Sequence, residues 1–184
     1  VIPLTPKELG TSDVFPQNLQ HSPDGRLVAV WGDGEYVIYS TIGWRNRAFG
    51  KGVEIAWASP GGEVFAARES SGRVQINRVN AHDHGLPLQG VSDCDRIFGG
   101  PLLGVSTAGS TLSFFDWTGC SLIRTIDVVA TSVSWSPDAS HVAIQTDSSC
   151  YVLSANAAVL KSPQSFEAGE DGIEDALGLV DELE

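Results

Sequence analysis

The chain has 184 residues, of which 42% are hydrophobic and 18% are charged. This composition predicts a globular protein with a sizeable core and excludes a collagen-like chain, a disordered tail and a coiled coil. The 23 acids outnumber the 11 Lys and Arg residues, giving a formal net charge of −12. A negative charge of this size disfavours binding to nucleic acid and direct binding to anionic lipid. Residues 164–184 hold much of the acidic excess and contain no base.

The signals for compartment and processing indicate a reduced cytosolic protein. The chain has three cysteines, Cys94, Cys120 and Cys150, and they form no C-x-x-C pair. An odd, sparse set of this kind differs from the dense, even sets of small secreted domains. No apolar run is long enough to cross a bilayer, and residues 1–6 lack the pattern of a signal peptide. Because Met is absent throughout, we interpret the chain as a piece of a longer protein.

A repeated turn motif is the main structural signal. Ser22-Pro23-Asp24-Gly25 recurs in altered form at residues 59–62 and 136–139, and the spacing leaves room for one degenerate copy between these two. Each copy precedes a predicted hairpin. The hairpin turns at Gly34, Gly72, Ser110 and Ser149 follow one another at intervals of 38, 38 and 39 positions. Such regular spacing indicates a repeat architecture.

The strands of each repeat follow in chain order. Residues 73–77 alternate polar and apolar side chains, which predicts a half-buried strand, whereas Tyr36-Val37-Ile38-Tyr39 is apolar on both faces, as in a strand inside a stack of sheets. Short inner strands are predicted before the Ser-Pro turns, and outer strands close the units, for example at residues 43–49 and 121–127. The predicted hairpin strands are 26–31 with 35–40, 63–68 with 73–79, 101–106 with 111–117, and 141–146 with 150–154.

Four short strands in each repeat are typical of a β-propeller blade. The sequence therefore predicts an all-β fold, a β-propeller of the WD-repeat type with about four blades of an incomplete ring that normally has seven. Residues 1–163 form the partial propeller. Residues 164–184 form an acidic segment of the same propeller region, in which Ile173, Leu177 and Val180 have the spacing of a short amphipathic helix. This helix either packs loosely on a blade or docks onto a basic partner.

For each motif that resembles a catalytic or ligand-binding site, the sequence favours a structural interpretation over a functional one. Gly32-Asp33-Gly34 begins like a dinucleotide fingerprint, but a strand follows where a helix is needed, so a hairpin turn is favoured. Gly104-Val105-Ser106-Thr107-Ala108-Gly109 resembles a nucleophile elbow whose second glycine comes one residue late, again with a strand following.

Two further groups of residues are candidate ligand sites. His82-Asp83-His84 could bind a metal with Asp93 or Cys94, but a polar loop is favoured because no second ligand pair has zinc spacing. The tryptophans Trp31, Trp57, Trp117 and Trp135 predict packing between blades rather than an aromatic cage, because they lie at or near strand ends. We therefore assign no catalytic, cofactor-binding or metal residue.

Several longer stretches resemble the beta-prime subunit family of coatomer, in the second of its two propellers. They occur in the family's order across nearly the whole chain, and Gly-Asp-Gly-Glu-Tyr at 32–36 and Glu-Asp-Gly-Ile-Glu-Asp at 170–175 are the most specific. The glycine-histidine and Trp-Asp repeat signatures are absent, and only Asp116-Trp117 in reverse order occurs, as in the family's degenerate second propeller. The other stretches are 37–39, 45–50, 54–58, 96–105 and 115–117.

The resemblance implies a non-catalytic subunit of the COPI vesicle coat, a scaffold for protein contacts in Golgi-to-ER and intra-Golgi transport. It implies no cofactor, and as partners the other coatomer subunits, especially alpha, with an Arf-type GTPase acting indirectly. It also implies a cytoplasmic protein that is peripheral on Golgi membrane and COPI-coated vesicles. The family's cargo-binding pocket lies in the first propeller, so none of its residues maps here. The alternatives are a generic WD-repeat adaptor or a propeller-containing hydrolase.

The open ring has a consequence for the isolated segment. A partial propeller leaves two terminal sheet faces uncovered, and Tyr36, Ile38, Val152 and Leu153 lie in or near those units without a polar cap. Because large exposed apolar faces favour association, we expect the segment to self-associate or to need the missing blades.

Overall fold

The computed structural model describes residues 5–81, 85–108 and 110–183, and in this part the chain forms four antiparallel sheets of four strands each. In every sheet the strands follow one another in chain order, so each sheet is a meander that runs from an inner to an outer strand. This is the blade layout that the repeat spacing predicts. The predicted all-β fold, an open and incomplete propeller, is confirmed.

The first two blades occupy residues 18–87. In the first, β2 and β3 are buried along nearly their whole length, as their apolar sequences predict. The second blade closes with an outer strand of only two residues. The strands of the first blade are β1 Asn18–His21, β2 Leu27–Gly32, β3 Glu35–Ser40 and β4 Asn46–Lys51. Those of the second are β5 Glu54–Trp57, β6 Val64–Arg68, β7 Val74–Arg78 and β8 Leu86–Pro87.

The third and fourth blades occupy residues 94–183. In the fourth, a long insertion separates the third strand from the outermost one and contains the short helix α1, Ala157–Lys161. The strands of the third blade are β9 Cys94–Phe98, β10 Leu103–Thr107, β11 Thr111–Phe115 and β12 Leu122–Ile126. Those of the fourth are β13 Ser132–Trp135, β14 His141–Gln145, β15 Cys150–Ala155 and β16 Leu177–Leu183.

The amphipathic helix predicted in the acidic segment is wrong. Residues Glu174–Ala176 form one 3₁₀ turn, and Leu177–Leu183 then pair with β15 as the outer strand of the fourth blade. Pairing along β15 satisfies the backbone of this segment, whereas three apolar residues at helical spacing would bury little surface. Gly178 further disfavours a helix, by about 1 kcal/mol relative to Ala. Leu177 is buried, but Val180 is 57% exposed.

The core lies between the blades. One apolar cluster joins the first and second blades through Tyr36, Ile38 and Phe65, and a second joins the second and third through Ile76 and Val105. A third cluster fills the space between the third and fourth blades and includes side chains of the insertion. Each blade therefore stabilises its neighbour by apolar burial, which contributes about 1.5–3 kcal/mol for each fully buried large side chain.

Polar contacts also join neighbouring blades near the inner strands. The Arg68 Nε donates to Glu54 Oε2 over 2.8 Å, and the same oxygen accepts the Ile97 N–H of the third blade at 3.2 Å. Arg96 donates to the carbonyl of Thr131 at 2.7 Å and so links the third blade to the fourth. The bonds from Ile97 and Arg96 hold the inner strands of neighbouring blades next to each other.

Candidate protein-interaction site

The glycine-rich turn at Gly32 is a tight hairpin and has no helix after it. Asp33 and Gly34 both have positive φ, 54° and 84°, and Gly32 pairs with Glu35 across the turn. A tight two-residue hairpin turn requires positive φ at both of its central residues. Strand β3 follows directly, so no helix N-terminus faces this turn and the hairpin interpretation is confirmed.

Ser106 cannot act as an exposed nucleophile. It lies inside β10, is 4% exposed, and pairs with Leu112 on one side and Arg96 on the other. A nucleophile elbow needs its serine on a sharp strand-to-helix turn, whereas here the chain continues into a second strand. The residue that would complete the motif, Gly109, lies outside the described residues.

The proposed metal cluster falls largely outside the described residues, because His82, Asp83 and His84 are not among them. Within them, Cys94 is buried, and its thiol contacts the carbonyl oxygen of Arg96 at 3.4 Å. Burial raises the pKa of the Cys94 thiol to about 12, which disfavours the thiolate that binds metals. No group of three or more metal-binding side chains converges in the described part of the chain.

The tryptophans pack between blades, as predicted. Trp31 and Trp57 belong to the cluster of the first two blades, Trp117 packs on the next cluster, and Trp135 packs on the last. The Trp117 indole N–H donates to the Gly100 carbonyl at 2.9 Å. Because the four rings divide among three clusters, they do not enclose a common ligand.

The end of the blades that carries the tight hairpin turns and the connections between blades is mainly acidic. Its exposed charges are mostly carboxylates, with Lys51 and Arg73 as exposed bases. This end suits a basic protein surface and repels polyanions. Its exposed carboxylates belong to Asp33, Glu35, Asp93, Asp95, Asp127 and Asp147.

The inner strands line the concave side of the array. Side chains from all four inner strands border a cavity of about 430 Å³. His21, Trp57, Phe98 and Val133 each come from a different blade, and all four are on its wall. The cavity holds a single imidazole and no cluster of acids or bases, so its lining lacks the paired groups that acid–base catalysis needs.

The outward face of the first blade is covered by the segment that precedes β1 and by the turn between β3 and β4. Val14 and Trp44 pack against that face, and Trp44 stacks on Tyr39 with ring centroids 4.5 Å apart. The Tyr39 hydroxyl donates to Asp13 Oδ2 at 2.9 Å, and the Trp44 indole donates to the Thr11 carbonyl at 2.8 Å. The prediction that the first blade exposes an uncapped apolar face is therefore wrong. Tyr36 and Ile38 point to the second blade instead.

The outward face of the fourth blade is open and mostly polar. Strand pairing places Val152 on it, whereas Leu153 points the other way, into the core shared with the third blade. Of the side chains on this face, Ser134, His141, Gln145 and Ser154 are exposed. This polarity was not predictable from the sequence, because it depends on the register that decides which side chains share a face. The remaining members of the face are Ser132, Ala143 and Cys150 and, on β16, Gly178, Asp181 and Leu183.

The insertion between β15 and β16 holds the third blade, a contact that the sequence analysis missed. The Ile173 N–H donates to the Ile123 carbonyl at 2.7 Å, and the Thr125 N–H donates to the Asp171 carbonyl at 2.8 Å. Residues 171–173 thus lie along the free edge of β12, and we call them the edge strap. Gly172 has φ 91°, and a Cβ there would stand 2.4 Å from the Ile123 carbonyl oxygen. The Glu-Asp-Gly-Ile-Glu-Asp stretch contains the strap, but residue patterns gave no sign of its partner.

A search for membrane-crossing helices finds none among the described residues.

Comparison with solved structures supports the fold. The chain is similar to a structure titled "Crystal Structure of Mitotic Checkpoint Complex", with a TM-score of 0.62 and 19% identity, covering 82% of this chain and 51% of the other. It is also similar to the Cps50 (Swd1) β-propeller domain of Myceliophteria thermophila, with a TM-score of 0.65 and 13% identity, covering 91% and 59%. At these identities the likeness extends to the fold alone.

Comparison of sequences identifies the family. Coatomer subunit beta'-1 of Arabidopsis thaliana is 42% identical over 98% of this chain, and the probable coatomer subunit beta' of Caenorhabditis elegans is 41% identical over 98%. The chain spans about a fifth of the length of these relatives, 20% and 18%. A family profile described as "COPA/B second beta-propeller" matches residues 1–184. The chain therefore belongs to the COPA/B second beta-propeller family, with coatomer beta' subunits among its relatives.

Proposed function

We propose that this chain is part of a non-catalytic structural subunit of the COPI vesicle coat, a propeller scaffold in Golgi-to-ER and intra-Golgi transport. The observation that carries the proposal is the similarity to coatomer beta' subunits, at about 40% identity along 98% of the chain. A stack of rigid sheets that presents loops at both ends suits the holding of protein partners.

The charge distribution supports protein contacts over direct membrane binding. The formal net charge of −12 repels anionic headgroups, whose attraction requires basic clusters. Contact with the Golgi membrane is then peripheral and passes through other proteins. The partners in this proposal are the other coatomer subunits, above all alpha, with an Arf-type GTPase recruiting the assembly.

The acidic segment belongs to the same propeller region in this proposal. Residues 1–163 supply three blades and most of the fourth, and residues 164–184 supply its outer strand and the edge strap. The pairing of β16 with β15 and of the strap with β12 supports this division.

Affinity capture from cells tests the function. The full natural chain that carries this sequence, tagged and expressed at its native level, should recover the other coatomer subunits and colocalise with a Golgi marker. The same chain without these 184 residues is the control, and it should recover less of the partners that contact this propeller. Recovery of no coatomer subunit by the intact chain would contradict the proposal.

A further inference from the structure

The insertion of the fourth blade is anchored at its two ends and exposed between them. Val159 at one end and Ile173 and Ala176 at the other are buried in the core between the last two blades. Residues 161–171 between these anchors are exposed, apart from the half-buried Pro163. The corresponding connections of the first three blades, 41–45, 79–85 and 116–121, are much shorter. The fourth blade therefore carries a much longer accessible loop than the first three.

This loop contains a Ser-Pro pair that differs from the other three in the chain. Ser22 is 3% exposed, and its hydroxyl donates to Asp24 at 2.6 Å. The Ser136 hydroxyl donates to Asp138, also at 2.6 Å, and Ser59 is half-buried beside the inner strands. Ser162, followed by Pro163, is exposed, and its side chain makes no capping hydrogen bond to the 3₁₀ turn that it precedes.

We propose that Ser162 is a phosphorylation site for a proline-directed protein kinase. The Ser162 hydroxyl oxygen attacks the γ-phosphorus of ATP and forms the phosphoester bond. The bond from that phosphorus to the β-phosphate oxygen breaks, ADP leaves, and the hydroxyl proton passes to the kinase's catalytic base. The following proline supplies the recognition that such kinases require. Because the Ser162 side chain makes no capping hydrogen bond to the turn, the attack breaks no such bond.

The local structure around Ser162 is easily opened to a kinase. Helix α1 has five residues, and the 3₁₀ turn after it has three. Helices this short are not stable by themselves in water and depend on packing. Here the packing comes from the buried side chain of Val159 and from Leu160, which is partly buried against the same core. Residues 161–166 bury no side chain in that core, so their local opening leaves the four sheets intact.

Phosphorylation loosens the edge strap. The Ser162 N–H caps α1 by donating to the Ala158 carbonyl at 3.1 Å, so the phosphate stands at the C-terminal, electronegative end of the helix. Lys161 is the one base of the insertion, against five acids that follow, Glu167, Glu170, Asp171, Glu174 and Asp175. A phosphate adds a charge of about −2 to this acidic insertion, and at a helix C-terminus it disrupts by repulsion. Release of residues 171–173 uncovers the edge of β12.

Phosphorylation in vitro tests the site. The full natural chain that carries this sequence is incubated with ATP and a purified proline-directed kinase of the mitogen-activated class, and phosphopeptides are mapped by tandem mass spectrometry. We expect phosphate on Ser162. Ser162→Ala and Pro163→Ala should both abolish it, the second while leaving the hydroxyl in place. Ser165→Ala, on the same loop but without a following proline, should leave it unchanged.

Hydrogen exchange tests the consequence. The amides of Thr125 and Ile173 should exchange about tenfold faster after phosphorylation, which corresponds to about 1.4 kcal/mol. Peptides of the first blade should not change. If the kinase modifies a control Ser-Pro peptide but places phosphate only on Thr5, Ser136 or no residue here, the site is wrong. Stoichiometric phosphate on Ser162 with unchanged exchange at Thr125 would overturn the release of the strap.

Discussion

At the residue scale, the carboxylates of Asp24 and Asp138 organise the same turn in the first and fourth blades. Asp138 accepts the Ser136 hydroxyl at 2.6 Å and the Ser140 N–H at 3.1 Å, and Asp24 accepts the equivalent bonds from Ser22 and Arg26. The turn thus closes by side-chain hydrogen bonds. Hydrogen bonds from Ser136, then from Ser140, lower the pKa of Asp138 to about 2, and that of Asp24 is lowered for the same reason.

The lowered pKa of Asp138 predicts a pH dependence. Because the folded value is about 2 and the ordinary value is 3.8, the carboxylate stabilises the fold above pH 4 and loses this effect as the pH falls toward 2. Asp138→Asn should therefore melt below the parent chain at pH 7 and together with it near pH 2. Circular dichroism melts across this range measure the gap. A gap that stays constant with pH would contradict the assignment.

The fourth position of the same motif distinguishes the first and fourth blades. Gly25 has φ 71° and Ala139 has φ 59°, so an alanine occupies a left-handed conformation in the fourth blade. That conformation costs a non-glycine residue about 1–2 kcal/mol, partly offset by the greater freedom of glycine when unfolded. Ala139→Gly should raise the free energy of unfolding by about 0.5–1 kcal/mol.

Gly25→Ala is the matched variant and should lower the free energy of unfolding by about 1 kcal/mol. A Cβ at Gly25 meets no atom within 4 Å, so backbone strain is the only cost. Urea denaturation of both variants measures the pair. If both variants raised, or both lowered, the free energy of unfolding, the left-handed backbone at this position would not explain the changes.

At the element scale, the edge strap shows how one blade protects its neighbour. An unpaired outer strand offers free N–H and C=O groups to other chains, and residues 171–173 occupy that edge of β12. The buried side chains of Val159, Ile173 and Ala176 hold the strap in place. The third and fourth blades therefore share an apolar core at the interface and a backbone pairing at the rim.

A methyl group at Gly172 should detach the strap. The Cβ of Gly172→Ala would stand 2.4 Å from the Ile123 carbonyl oxygen, and φ is 91°. We expect a loss of about 1–3 kcal/mol and faster exchange of the Thr125 amide. Gly169→Ala is the control, because its nearest contact would be an ordinary 3.8 Å. Equal effects at both positions would mean that the strap does not depend on close approach.

The four-blade repeat was predictable from local chemistry, because turn residues and strand alternation act over a few positions. Apolar sequence on both faces of β3 correctly indicated a strand between two packed layers. The outer strand predicted at 43–49 begins instead at Asn46, since Gly43 and Trp44 have positive φ and form the turn. The strap and the cover on the first blade were not predictable, because their partners lie far away in sequence. The glycine-rich motif at Gly32 and the elbow-like motif around Ser106 were ruled out as ligand or catalytic sites by the strands that follow them.

At the scale of the whole molecule, the two ends of the blade array differ in how they are finished. The first blade buries Val28, Val30, Val37 and Tyr39 under the preceding segment, whereas the fourth blade ends in a partly polar, open face. In longer proteins of this family further blades are expected beyond this face. The two ends of the array are thus unequal. The first blade is covered, whereas the fourth blade has a face that can pack against another sheet.

This asymmetry predicts how the 184-residue chain associates. The open face still carries Ala143, Val152 and the edge strand β16, so we expect a dimer at micromolar concentration through the fourth blade. Val152→Asp should shift the mass measured by light scattering toward the monomer, since a carboxylate would be buried in the contact. Removal of residues 1–16 should instead yield larger species, because it opens a second, strongly apolar face. If Val152→Asp leaves the dimer intact, or if removal of residues 1–16 leaves the mass unchanged, the covered and open faces do not control association.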